Sequence, residues 1–163
     1  MQKWVKNILI GGAAFVAYRL YKLWEMFGNL NWSFQSIRFS RPNIKSIFDS
    51  YVVTIGLKIH NPSSTTLYID SIRGYLEYDG YVLGRYATRK VKINSGDTSV
   101  SIEVELDPKY VASTLIPDLV NRKAPQMRLV TNAVLFLNVE VTNSFTFNVK
   151  DYLPDGVNQI FFK

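Results

Sequence analysis

Tyr51–Ile59, YVVTIGLKI, decides the fold class. Val53, Ile55, Leu57 and Ile59 fall on alternate positions of that run. Successive side chains of a strand point to opposite faces, so this spacing marks one buried face and one open one. Asn61-Pro62-Ser63-Ser64 ends the run, because proline has no N–H to give to a ladder. The same period recurs downstream. Val100, Ile102, Val104 and Leu106 alternate with Ser101, Glu103 and Glu105, which puts one face of that strand in solvent. Upstream, Trp32, Phe34, Ile37 and Phe39 form a first strand with a break in register near Ser36, closed by an Arg41-Pro42-Asn43 turn. Between these runs, Tyr68–Tyr78 is predicted as a strand with Ile72, Leu76 and Tyr78 inward. Asp79-Gly80 then makes a tight hairpin into a return strand carrying Tyr81, Leu83 and Tyr86. Asn94-Ser95-Gly96-Asp97 is a further turn.

One short helix follows. Asp107 caps it, Pro108 suits its first turn, and Tyr110, Val111, Leu115, Leu119 and Val120 recur at helical spacing. Pro117 predicts a bend or an early end. A strand is expected over Asn132–Thr142, another through Phe145, Phe147 and Val149, and Gln159–Phe162 is a candidate edge strand. Six to eight short strands at this spacing predict a mostly β protein, an antiparallel β-sandwich. Residues 30–163 are read as that domain and residues 1–29 as a separate N-terminal apolar helix.

The charge distribution sets those first residues apart. Lys3, Lys6, Arg19, Lys22, Arg38, Arg41 and Lys45 face Glu25 alone before residue 49, which accounts for the whole net charge of +6. Ile8–Tyr18 is uncharged, with Lys3 and Lys6 before it and Arg19 and Lys22 after it. Trp4, Tyr18 and Trp24 stand at its ends, where aromatic side chains favour bilayer surfaces. Ile8, Leu9, Ile10, Phe15, Val16 and Leu20 supply the apolar body. The strict apolar run is 11 residues, against the ~20 that span a bilayer, so spanning needs Arg19 and Lys22 to snorkel. Three readings stand: an inserted or single-pass anchor helix, a cleaved secretory signal, and a helix packed on another protein. The anchor is the working expectation. It places the chain at a membrane, with lipid and other protein subunits as partners and with no orientation assigned.

Few groups suit chemistry. The 163 residues include no cysteine and one histidine, His60, which excludes a disulfide framework, a thiolate metal site and cysteine catalysis. No nucleophile elbow, phosphate loop or dinucleotide fingerprint appears. Arg85, Arg89, Lys90 and Lys92 form a possible basic contact patch, weighed against a strand edge protected by charge. Asn31-Trp32-Ser33 matches a glycosylation sequon, read as a chance match. No cofactor, nucleic acid or small-molecule substrate is expected.

One stretch is more specific than its composition. Lys58-Ile59-His60-Asn61-Pro62 ends a strand and is followed by Leu67, Ile69, Ile72, Tyr75, Tyr78, Asp79-Gly80, Leu83 and Gly84. Over about residues 30–150 this order resembles the type 2 late-embryogenesis-abundant family, also called the WHy domain. The resemblance implies an immunoglobulin-like or fibronectin III-like sandwich without catalysis, a role in stress protection, and often an N-terminal membrane anchor. Asn61 and Pro62 then stop a strand and shape a turn. Three functions are carried forward. The first is a non-enzymatic, membrane-anchored structural protein, one form being a subunit of a membrane-containing virion. The second is a stress-protective protein, and the third a carbohydrate-binding or hydrolytic sandwich.

Overall fold

Val53, Ile55, Leu57 and Ile59 are fully buried, as the alternation requires, on strand β2 (Tyr51–Asn61). The computed structural model describes residues 3–40, 51–121, 125–135 and 138–152. Helix α1 (Lys3–Gly28) leads into β1 (Asn31–Ser40). After β2 come β3 (Leu67–Ile69), β4 (Ser71–Tyr78), β5 (Tyr81–Ala87), β6 (Val91–Ile93) and β7 (Gly96–Leu106). A helical stretch follows: α2 (Pro108–Tyr110), a π turn (Val111–Leu115) and α3 (Ile116–Val120). Strands β8 (Gln126–Val134) and β9 (Glu140–Asn148) and a final 3-10 turn (Val149–Tyr152) complete the described chain.

Seven strands join one antiparallel sheet in the order β1-β2-β7-β5-β4-β8-β9, while β3 and β6 make a separate two-stranded ribbon. The protein is mostly antiparallel β, as expected, with the N-terminal helix in place. The division into two sheets is not what the pairing shows. Strand β7 is paired along its whole length to β2, yet it also reaches β5 through Gly84 opposite Leu106 and Arg85 opposite Glu105. That short ladder ties two would-be layers into one sheet. The sheet then curls until its edges meet through side chains. Phe34 on β1 stacks on Phe147 of β9 at 4.5 Å between ring centres, and Tyr152 meets Phe34 edge-on at 5.1 Å. The result is nearly a closed barrel around one apolar core.

Several local expectations hold. The ladder between β1 and β2 shifts register between Phe34 and Ser36, where the alternation broke. Asp79 (φ 49°) and Gly80 (φ 77°) both take left-handed conformations, the backbone a two-residue hairpin needs. Asp107 Oδ1 accepts the Lys109 N–H at 2.9 Å and caps α2.

Others are corrected. Tyr68–Tyr78 is not one strand: Tyr68 lies on β3, which pairs with β6, whereas β4 pairs with β5 and β8. Asp70 separates them and gives its N–H to Val134 O at 2.9 Å. The strand expected over Asn132–Thr142 breaks instead into β8 and β9. Asn138 turns left-handed (φ 58°), and the Leu135 N–H reaches Val139 O at 2.7 Å. Pro117 does not end the helix. The turn before it widens to π, with the Ile116 N–H donating to Val111 O, and α3 runs on to Val120. The Arg41-Pro42-Asn43 turn, the side chain of Phe39 and Gln159–Phe162 lie outside the described residues.

Asn61, only 1% exposed, organises the loop after β2. Its Nδ2 donates to Thr65 O at 2.8 Å, and its Oδ1 accepts from the Ser63 N–H at 3.0 Å and from Ser63 Oγ at 2.7 Å. Asn61→Ala removes all three bonds, leaving Ser63 Oγ and Thr65 O only their mutual contact at 3.2 Å, and is expected to destabilise the protein by about 1–3 kcal/mol. A urea midpoint equal to wild type would show that the loop is held by other contacts.

Candidate interaction surface

Helix α1 has 26 residues, so it is roughly 39 Å long. Its last turn is fastened to the sheet. Phe27 and Leu30 enter the core, and Met26 packs against it. The Asn29 N–H bonds to Glu25 O at 3.1 Å and the Leu30 N–H to Phe27 O at 3.3 Å as the helix gives way to β1. Residues 14–24 are exposed on every side of the helix. Phe15, Tyr18, Tyr21 and Trp24 are 60%, 57%, 60% and 64% exposed. Val16 and Leu20 accompany them. The Arg19 guanidinium lies over the Phe15 ring at 5.4 Å, and Lys22 pairs with Glu25 at 2.8 Å, which raises the Lys22 ammonium pKa above its ordinary value. Trp4, Ile8, Leu9, Ile10, Lys3 and Lys6 fall on the same helix, but their side chains lie outside the described residues.

An apolar groove of 390 Å³ opens where this helix meets the sheet. Leu20, Tyr21, Leu23 and Trp24 form one wall, Leu135 and Val139 of the β8–β9 turn the other, and Phe27 lies between. The expectation of a transmembrane helix is not supported: among the described residues no helix is long and apolar enough to cross a membrane. Arg19, Lys22 and Glu25 crowd its sheet-proximal half, and each charge at bilayer depth is costly.

The turn motifs Asn61-Pro62 and Asp79-Gly80 sit at two strand ends of the main sheet and shape its loops. The proposed basic patch is divided. Arg85 lies on β5 directly across from Glu105 of β7. Lys92 lies on the ribbon opposite Tyr68, and Lys90, beside the ribbon, sits 5.4 Å over the Tyr68 ring and 3.8 Å from Asp70. Arg89 is in the connection between β5 and β6.

A contact invisible in chain order is His60 with Asp97. The β2–β7 register sets them opposite each other, with His60 Nδ1 2.7 Å from Asp97 Oδ1 and Lys58 Nζ 2.6 Å from Asp97 Oδ2. Lys58 first, then His60, holds the Asp97 carboxyl below its ordinary value. A depressed folded pKa stabilises above the unfolded value and loses that contribution as pH falls through the folded one. Asp97→Asn is therefore expected to lower the thermal midpoint slightly at neutral pH, with the two curves converging in acid below about pH 4. A gap that persists undiminished in acid would contradict this. Among the described residues no group of three or more His, Asp or Glu side chains converges to hold a metal ion.

No family model and no curated protein matches the chain. Solved structures do resemble it. A protein from Archaeoglobus fulgidus, at 10% identity, superimposes with a TM-score of 0.52 over 71% of this chain and 94% of that one. A solution structure from Arabidopsis thaliana, at 16% identity, gives 0.53 over 72% and 78%. A protein described as a candidate late embryogenesis abundant protein, at 14% identity, gives 0.49 over 87% and 85%. At these identities the first two likenesses establish a shared β fold.

Proposed function

We propose that this chain is a non-enzymatic stress-protective protein of the type 2 late-embryogenesis-abundant kind. One observation carries the reading. The Asn61-Pro62 strand end, the hairpin at Asp79-Gly80 and the strands between them come in the order of that family, on a mostly antiparallel β domain. In this reading the domain is built of two layers, β1-β2-β7 and β5-β4-β8-β9, hinged at the short β5–β7 ladder. The exposed apolar surface of α1 supplies the working part. A surface rich in Phe, Tyr and Trp covers apolar patches on a partly unfolded client and releases them on refolding.

The test uses the full chain with lactate dehydrogenase heated or dried. The expected result is less light scattering and more recovered activity than with an equal mass of lysozyme. Protection no better than the control removes the proposal.

A second reading rests on the basic, aromatic character of α1: the helix lies on an anionic membrane surface rather than across it. Apolar and aromatic side chains enter the headgroup region while Lys3, Lys6, Arg19 and Lys22 meet lipid charge. The full chain is then expected to float with vesicles containing phosphatidylserine, less with phosphatidylcholine alone, and less again at high salt. Equal behaviour with both vesicle types rejects it.

A further inference from the structure

Strands β5 and β7 pair at two positions, the Asp107 N–H extends the joint to Leu83 O at 2.7 Å, and a cleft of 670 Å³ opens beside it, between the β5 edge and the start of the helical stretch. Its volume is in the range of small-molecule sites, about 300–1,000 Å³. Two features distinguish it from a surface dent. Tyr81, 51% exposed on β5, lies nearly parallel to Tyr110 of α2, with ring centres 6.0 Å apart and planes at 30°. Arg85 and Glu105 face each other across the joint, both line the cleft, and among the described residues neither forms an ion pair. Asp107 adds a carboxylate whose Oδ1 is used by the helix cap.

We propose that this cleft binds a neutral carbohydrate. A pyranose has a flat face of polarised C–H groups, which stacks on an exposed aromatic ring, and a rim of hydroxyls that both donate and accept. Tyr81 and Tyr110 supply the platform. Arg85 supplies a planar fork of donors, and Glu105 supplies acceptors. Lys109 Nζ also lies 6.0 Å over the Tyr110 ring, so Arg85 and Lys109 balance Glu105 and Asp107. The cleft then has no excess charge with which to select phosphates or uronates, and the ligand carries no charge. The inference goes beyond the protective role and does not depend on it.

The test is a titration of the full, isotope-labelled chain with maltohexaose, with cellohexaose and with an oligogalacturonate, read by amide chemical shifts. The expected result is saturable shifts with at least one neutral oligosaccharide, confined to residues 80–85 and 105–110, and weak or no response to the uronate. Tyr81→Ala, at a half-exposed position that leaves the amide dispersion unchanged, should weaken binding about fivefold. Glu105→Gln, which keeps the shape and removes the charge, should also weaken it. No saturable response to either neutral sugar overturns the proposal. So do shifts centred elsewhere, uronate binding as tight as neutral binding, or a Tyr81→Ala variant that binds as wild type does.

Discussion

Gly74→Val is expected to yield no folded protein, and Gly74→Ala to lose about 3 kcal/mol of stability, read as a lower urea midpoint with an unchanged slope. Gly74 lies on β4 between Tyr86 of β5 and Thr131 of β8. A methyl group there would fall 1.9 Å from the Val130 carbonyl oxygen and 2.7 Å from the Tyr86 hydroxyl. The backbone oxygen is held by the ladder and cannot step aside, so β4 and β8 must part locally, and the phenol must move as well. That phenol occupies the space a side chain would take, giving its proton to Val130 O at 3.2 Å and lying 2.8 Å from Thr131 Oγ1. Burial pushes its pKa up to about 12, so it stays a neutral donor at ordinary pH. Displacing it strands Thr131, which is fully buried. A Gly74→Ala midpoint equal to wild type would mean that Tyr86 is not the plug of this sheet.

Phe147→Ala is the second large effect, about 3–5 kcal/mol. Phe147 is buried and stacks on Phe34 at 4.5 Å, while Tyr152 meets it edge-on at 5.9 Å. These rings bring β1 and β9 together where no backbone ladder joins them. Removing one opens a cavity at the seam and frees two strand edges at once. Hydrogen exchange should therefore show β1 and β9 losing protection before β2, β7 and β4. Uniform loss across all strands would show that the seam contributes no more than any other part of the core.

These two positions differ in how far the sequence reveals them. Phe147 belongs to an alternating run and reads as a core residue from its spacing. Gly74 gives no such sign: its role depends on a tyrosine from β5 and a carbonyl from β8, which only strand pairing brings over it. The candidate sites divide in the same way. The apolar, basic character of residues 3–28 is legible at once, because it rests on consecutive residues. Their charges already argue against spanning, since Arg19, Lys22 and Glu25 would lie at bilayer depth. Lying on a surface and gripping a client use a similar apolar surface, so what the helix meets decides between them. The cleft is less legible still. Tyr81 and Arg85 on β5, Glu105 on β7 and Tyr110 on α2 come from three elements, and they converge because β5 and β7 pair briefly and then diverge.

Elsewhere the division follows the range of the forces. Short-range signals fixed in covalent chemistry settle the local structure: side-chain alternation makes Tyr51–Ile59 a strand, Asp79-Gly80 accepts left-handed backbone, and Asp107 caps a helix. The sequence by itself therefore determined the strand class, several turns and the helix start. Tertiary structure decided that seven strands share one curled sheet, that Asp70 splits one expected strand and Asn138 another, and that Asp97 meets His60. Each of those outcomes is a choice among backbone pairings of nearly equal hydrogen-bond strength. Only the joint burial of side chains far apart in the chain breaks the tie.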